Sequence, residues 1–144
     1  MSDPETVSLP SAVLGEVVWL YSISPLHHDW KMSTIHRWII PALRQKQYRI
    51  YHRGSKPIGF VSWAFLSEQV AGTYIDSPNS LRPQDWQSGD KRWFIDFIAP
   101  FGDTKEIISD LRKRFPNETG NALRVKPDRK GSRVMQLTGL KALA

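Results

Sequence analysis

Arg92-Trp93-Phe94-Ile95-Asp96-Phe97-Ile98-Ala99-Pro100-Phe101-Gly102-Asp103 is the stretch on which the fold turns. Its first seven residues are rich in aromatic and β-branched side chains and read as a buried strand. Pro100 and Gly102 then end the strand, and Gly102 lets the backbone turn tightly. Asp103 is placed to cap a helix over 104–115, whose apolar residues Ile107, Ile108, Leu111 and Phe115 recur at helical spacing before Pro116 stops it. One carboxylate, Asp96, interrupts the strand on the face it shares with Phe94 and Ile98. A carboxylate is seldom buried without a partner, and a histidine is a natural one. The plainer alternative is an aspartate that satisfies backbone amides.

Outward from this strand, the chain reads as short elements separated by turn residues. Gln47 to His52 alternates in polarity and predicts a strand. Arg53-Gly54-Ser55-Lys56-Pro57 is a turn, and Ile58 to Leu66 is a second strand, so 47–66 is expected to be a hairpin. Earlier, Ser11 is the expected cap of a helix carrying Val13, Leu14, Val17, Val18, Leu20 and Tyr21, ended by Pro25. Ser33 is the expected cap of a second helix through Ile35, Trp38, Ile39, Ala42 and Leu43, which Pro41 should kink or divide. Ser67 to Asp76 fits either a short helix or a third strand segment. Ser77 to Lys91 reads as a long loop of the kind that often serves function. Ala122 to Lys126 and Arg133 to Thr138 close the chain as strands.

These elements make an α+β domain on a mostly antiparallel sheet, in an order that resembles the GNAT-type N-acetyltransferase fold. The expected organisation is one domain over 11–139. A polar tail (1–10), expected to be mobile, precedes it, and a short tail (140–144) follows. The chain has 144 residues, 40% of them hydrophobic, with six tryptophans, which suits a folded core and not a disordered chain. It has no cysteine, which excludes disulfides, thiolate metal sites and a cysteine nucleophile. Four scattered histidines give no metal-ligand spacing. No signal peptide and no membrane span are expected, so the expected address is cytoplasmic.

The net charge of +6 is unevenly placed. Residues 1–104 hold ten basic and ten acidic side chains, whereas 105–144 hold ten basic and four acidic ones. A one-sided basic surface attracts an acidic partner, whether nucleic acid or an acidic protein; it also serves as an ordinary soluble face. No ribonucleoprotein strand motif, zinc site or helix-turn-helix signature is present.

A second stretch, Ser24-Pro25-Leu26-His27-His28-Asp29-Trp30, gathers a hydroxyl, two imidazoles, a carboxylate and an indole between the first two helices. Alone, such a turn is as readily a cap or a surface loop as a reactive centre. Together with Leu14-Gly15, Trp19-Leu20, Pro41-Ala42, Gln47-Tyr48, Ser62-Trp63-Ala64, Asp85-Trp86, Ser88-Gly89-Asp90, Trp93 to Asp96 and Ala99 to Asp103, it stands in a family order. From about Leu14 to Gly139 the chain resembles the RTX toxin-activating lysine acyltransferases, the haemolysin-activating C proteins.

The resemblance implies the same acetyltransferase-like fold. It also implies transfer of a fatty acyl chain from acyl-acyl carrier protein to internal lysines of an RTX protoxin. Such chemistry must deprotonate an amine whose reference pKa is about 10.4, and an imidazole near about 6.5 suits that task. His27 ends the family's Ser-Pro-Leu-His motif and is the implied base, with Asp96 orienting it. Ser24 is either a helix-ending hydroxyl or an acyl-handling group; direct transfer is expected, with Ser24 supporting. His28 is incidental to the motif, and His36 and His52 match none.

For the donor, the Ala99–Asp103 junction lacks the longer basic, glycine-rich loop of coenzyme A-dependent acetyltransferases, and Asp103 would repel a pyrophosphate. Carrier protein is therefore the expected donor, with no permanently bound cofactor and no metal. Gly102 is a candidate phosphate contact, and Arg112, Lys113, Arg114 and Arg124 are candidates for docking the carrier protein or its phosphopantetheine. Three basic residues at a helix end serve the helix dipole equally well. Trp63, Trp86, Trp93, Phe60 and Tyr48 are expected in the core. The implied partners are carrier protein and protoxin, with a homodimer compatible and nucleic acid not expected. The competing readings are a basic module that grips nucleic acid and a non-catalytic partner of carrier protein.

Overall fold

The structure, a computed structural model, describes residues 9–125 and 132–140. The expected tails, apart from Leu9, Pro10 and Leu140, and the end of the predicted strand at Lys126 lie outside the described residues. In chain order the elements are helix α1 (Ser11–Ile23), a π-helical turn (Ile35–Ile39), α2 (Ile40–Gln45), strands β1 (Tyr48–Arg53) and β2 (Lys56–Leu66), and α3 (Glu68–Asp76). Then come two short 3-10 turns (Pro78–Ser80 and Pro83–Trp86), β3 (Lys91–Ile98), α4 (Thr104–Arg114), β4 (Thr119–Val125) and β5 (Ser132–Thr138). The strands form a five-stranded sheet in the order β1-β2-β3-β4-β5. β1–β2 and β4–β5 are antiparallel, while β3–β4 is parallel. The α+β expectation therefore holds, with a parallel central pairing that alternation alone does not specify.

The chain divides into two compact units: Met1–Ser62 with Asp96–Asp103, and Trp63–Ile95 with Thr104–Ala144. In the first, Val17, Leu20 and Tyr21 of α1 pack with Ile39, Leu43, Phe60 and Ile98. Leu20, Ile39 and Phe60 are wholly buried, and each such side chain contributes roughly 1.5–3 kcal/mol from burial. α1 starts with Pro10 at its N-cap and no side-chain cap bond. Ser11 already lies inside the helix, so its expected capping role is not made. It ends at Ile23, with the Ser24 backbone N–H bonded to the Tyr21 carbonyl, because Pro25 cannot continue it. Pro41 does not interrupt the next helical segment, which runs without a break over 33–45, but the geometry changes beside it: Ile35–Ile39 is a wide π turn, and α2 follows with Pro41 in its first turn. Neither segment begins with a side-chain cap, so Ser33 does not play that part. The predicted hairpin forms, with Tyr48 opposite Ser62 and Arg53 opposite Lys56.

In the second unit the ambiguous stretch resolves as helix. Ser67 Oγ accepts from the Val70 backbone N–H at 3.2 Å, which caps α3. The long loop is pinned to β2, with the Ser88 and Gly89 N–H groups donating to the Phe65 carbonyl at 2.9 and 3.0 Å. Trp63, Trp86 and Trp93 are buried, and Trp63 meets Phe94 and Phe115 edge to face. The Arg92 guanidinium lies 3.6 Å from the Phe115 ring centroid and pairs with Glu118. Burial holds its pKa below the usual arginine value, against the opposing pull of Glu118. Gly139 passes so close to the Phe115 and Pro116 backbone that a Cβ there would overlap it.

Candidate active site

The site is built on four elements of the first unit. The end of α1 and the turn after it share a period of three. Tyr21, Ser24 and His27 are buried and Trp30 half-buried, with solvent-facing residues between. The cause is local hydrogen bonding: the His27 N–H donates to the Ser24 carbonyl at 3.1 Å, and the Trp30 N–H to the His27 carbonyl at 2.9 Å. Such three-residue turns stack side chains at i and i+3 on one side. Pro25 at 25 keeps the segment out of a continuing α-helix, so the tighter turn is what remains.

β3 supplies the carboxylate. Its burial alternates, with Trp93, Phe94, Asp96 and Ile98 inside and Phe97 exposed. Asp96 is 3% exposed and His27 5%. The structure brings Ser24, His27 and Asp96 into one chain: Ser24 Oγ is 2.7 Å from His27 Nδ1, and His27 Nε2 is 3.1 Å from Asp96 Oδ1. The second oxygen of Asp96 accepts from the Tyr21 hydroxyl. β2 completes the cradle, where Ser62 Oγ accepts from the Asp96 backbone N–H at 3.1 Å. Aromatic rings wall in the imidazole: Tyr21 at 4.6 Å and Trp30 at 4.4 Å between centroids, with Trp38 edge-on to Trp30.

The chemistry of this chain follows from charge. An ionised Asp96 accepts only, so His27 Nε2 carries the hydrogen that faces it. Nδ1 then presents a lone pair, and that lone pair meets the Ser24 hydroxyl. The arrangement can draw a proton from Ser24 or through it. Burial and the neighbouring Asp96 carboxylate push the Tyr21 phenol well above its usual pKa, so it stays a donor. Tyr21 and Ser62 escaped the sequence reading as functional candidates. Tyr21 was assigned to the apolar stripe, and the three-residue spacing to Ser24 and His27 is the signal that marks it. Ser62 offered no local signal.

The remaining histidines lie apart from this chain. His28 is exposed, 3.6 Å from Asp29; His52 pairs with Glu16 at 2.6 Å; His36 is exposed.

The donor-binding candidates are dispersed. Gly102 is exposed with φ of 89°, a conformation that favours glycine, and it belongs to the first unit. The carboxylate of Asp103 pairs with Arg53 through Oδ1, and its Oδ2 is buried with no hydrogen-bond partner. In the second unit, Arg112 Nε donates to the Thr138 carbonyl at 2.8 Å and Arg114 pairs with Asp110 at 2.9 Å. Lys113 and Arg124 are exposed. A shallow groove of about 650 Å³ is lined by Gly15, Trp19, Lys56 and Pro57 among others. Beside it Trp19 stacks on Phe101, with Lys56 Nζ 3.7 Å from the Phe101 ring centroid. Among the described residues, no group of three His, Cys, Asp or Glu side chains could hold a metal ion, and no helix is long and apolar enough to cross a membrane.

Comparison with known proteins bears on this geometry. The RTX toxin-activating lysine-acyltransferase ApxIC of Actinobacillus pleuropneumoniae is 44% identical over 127 residues, covering 88% of this chain and 74% of its own length. The protein-lysine myristoyltransferase HlyC of Escherichia coli is 40% identical over 133 residues, covering 92% of this chain and 76% of its own. The leukotoxin-activating lysine-acyltransferase LtxC of Aggregatibacter actinomycetemcomitans is 42% identical over 113 residues, covering 78% and 67%. The sequence model of the RTX toxin acyltransferase family matches residues 8–138, and the chain belongs to that family.

Proposed function

We propose that this chain transfers a long acyl group from acyl carrier protein to an internal lysine of an RTX protoxin, with His27 as the base and Asp96 as its orienting partner. The observation that carries the reading is the buried Ser24–His27–Asp96 chain. A lysine arrives as an ammonium and must lose protons before and during attack. The neutral amine attacks the thioester carbonyl; the C–N bond forms and the C–S bond breaks. The proton shed by nitrogen passes through Ser24 Oγ to His27 Nδ1, and the departing thiolate takes a proton in turn. Asp96 holds the imidazole in the tautomer that keeps Nδ1 free and stabilises the imidazolium.

Three further features support the donor assignment. The Ala99–Asp103 turn has no basic side chain of its own to meet a pyrophosphate, and its one carboxylate is paired with Arg53. The basic excess lies in the last 40 residues, suited to an acidic carrier protein. Around the segment bearing Ser24 and His27, Trp19, Ile23 and Leu26 are each more than a third exposed, which suits an acyl chain.

One contact favours a second reading of the same site. Ser24 Oγ stands 2.7 Å from the nitrogen that would activate it, so Ser24 could take the acyl group itself before passing it on. Intact-mass analysis separates these cases. Enzyme, acyl carrier protein loaded with a long chain, and protoxin are combined, and both proteins are weighed. The expected product is protoxin heavier by the acyl group, in an amide that resists neutral hydroxylamine. A protoxin of unchanged mass, or a chain released by that reagent, overturns the lysine assignment. Enzyme mixed with donor alone gains the acyl mass only if Ser24 is acylated, and Ser24→Ala abolishes that gain.

A further inference from the structure

The buried network contains two polar side chains that the proposed reaction does not use, Tyr21 and Ser62, and Tyr21 is the one that meets the carboxylate. Tyr21 reaches from α1 to Asp96, and its hydroxyl donates to Oδ2. Asp96 has its other oxygen on His27 Nε2 and its backbone N–H on Ser62 Oγ. The carboxylate side chain is 2% exposed, too deep for water to satisfy an empty oxygen. The same tyrosine ring packs on the imidazole, with centroids 4.6 Å apart and planes inclined by 54°. One side chain thus touches both members of the pair, the carboxylate through its hydroxyl and the imidazole through its ring.

We infer that Tyr21 is a positioning residue for the acyl transfer: it holds Asp96 to His27 and, by donating to the carboxylate, sets how readily the His27–Asp96 pair takes up a proton. The inference rests on the reading of His27 as the base. A donor on Oδ2 stabilises the ionised carboxylate, so the pair as a whole binds a proton less tightly than it would without the hydroxyl. The unprotonated, reactive form of the pair is then present at lower pH. The titratable groups that meet here are Tyr21 from α1, His27 from the following turn and Asp96 from β3. β2 contributes the hydroxyl of Ser62, the next turns contribute Trp30 and Trp38, and Tyr48 of β1 joins the same apolar cluster without a bond to Asp96. The raised pKa of the Tyr21 phenol is consistent with a donor that keeps its proton throughout the working range.

The test is single-turnover acylation across pH with wild type, Tyr21→Phe, and protein carrying monofluorotyrosine at 21, a more acidic phenol of nearly the same shape. His27→Ala is run alongside. Tyr21→Phe should lower the rate at neutral pH about tenfold and leave the Michaelis constant for carrier protein within about twofold. Its acid limb should move to higher pH. The fluorinated protein should move that limb down. If Tyr21→Phe fails to fold, the fluorinated protein alone decides by the direction of its shift. An acid limb unmoved in every folded variant makes Tyr21 a packing residue and overturns the inference. A His27→Ala protein as fast as wild type overturns the base reading instead, so the two failures are told apart.

Discussion

His27 and His28 are adjacent in sequence and opposite in surroundings. His27 is buried between Ser24 and Asp96, while the His28 side chain is 44% exposed beside Asp29. Damage to the loop as such would strike both; loss of a base strikes one. His27→Ala should lower single-turnover acylation by about 100- to 10,000-fold, and Asp96→Asn should also be severe because the amide permits the wrong tautomer. The double variant should cost little beyond His27→Ala, since groups acting as a unit are not additive. His28→Ala should stay near wild type, and a dead His28→Ala beside an active His27→Ala would sink the assignment. Tyr21 adds a residue-scale prediction about stability. Its phenol is raised above the usual 10.0 by burial and by the Asp96 carboxylate. The stability this contributes is fully present below that usual value and is lost as pH rises through the raised one, because the unfolded chain ionises first. In denaturant titrations above pH of about 10, wild type should lose stability more steeply with pH than Tyr21→Phe.

At the scale of elements, two short segments depend on single side chains. α3 has only Ser67 to satisfy its first turn by a side-chain cap, through the Val70 N–H. Ser67→Ala should cost about 1 kcal/mol in chemical denaturation, with Ser67→Asp recovering most of it. The turn at Pro83–Trp86 is held by Asp85, whose carboxylate accepts from the Arg82 backbone N–H at 2.9 Å and from its guanidinium at 3.1 and 3.3 Å. Burial alone would raise the Asp85 pKa, but the Arg82 bonds and charge outweigh it and hold it below the usual carboxylate value. A lowered carboxylate contributes stability above its usual value and loses it as pH falls through the lowered one. Asp85→Asn should therefore be less stable than wild type at neutral pH, and the gap should close on acidification. A gap that persists into strong acid would place the effect in packing.

At the scale of the whole molecule, charge is the property to test. Of the four candidate docking side chains in the C-terminal region, Arg112 is tied to the Thr138 carbonyl and Arg114 to Asp110. Lys113 and Arg124 are exposed and are the better probes. Reversing both to Glu should raise the apparent Michaelis constant for carrier protein several-fold at low salt and leave the maximal rate unchanged. The difference should shrink as salt screens the surface. Equal constants at low salt would place the docking surface elsewhere. Reversing Arg112 is a poorer experiment, because it also breaks a bond to backbone.

The sequence by itself determined what depends on neighbours along the chain. Alternation gave the β1–β2 hairpin and put Asp96 on the inner face of β3. Helical spacing gave α1 and α4, Pro25 marked where α1 stops and Pro41 where the next helix changes its winding, because proline constrains its own turn wherever it sits. The tryptophans assigned to the core are buried. Caps were harder: Ser11 and Ser33 have the right chemistry for one, but α1 starts from Pro10 and neither helical segment after Ser33 has a side-chain cap bond. The parallel pairing of β3 with β4 was likewise invisible, since alternation fixes which face a residue takes and not which strand lies beside it. The site shows the division most clearly. Motif spacing made His27 and Asp96 candidates, but they are 69 residues apart, and Tyr21 and Asp96 are 75 apart. Only the folded chain decides which oxygen meets which donor, because a buried carboxylate must be satisfied by whatever the packing of distant elements brings within reach. That requirement, exerted at Asp96, is met by His27 Nε2 on one oxygen and the Tyr21 hydroxyl on the other, which makes Tyr21 more than one apolar residue of a helix.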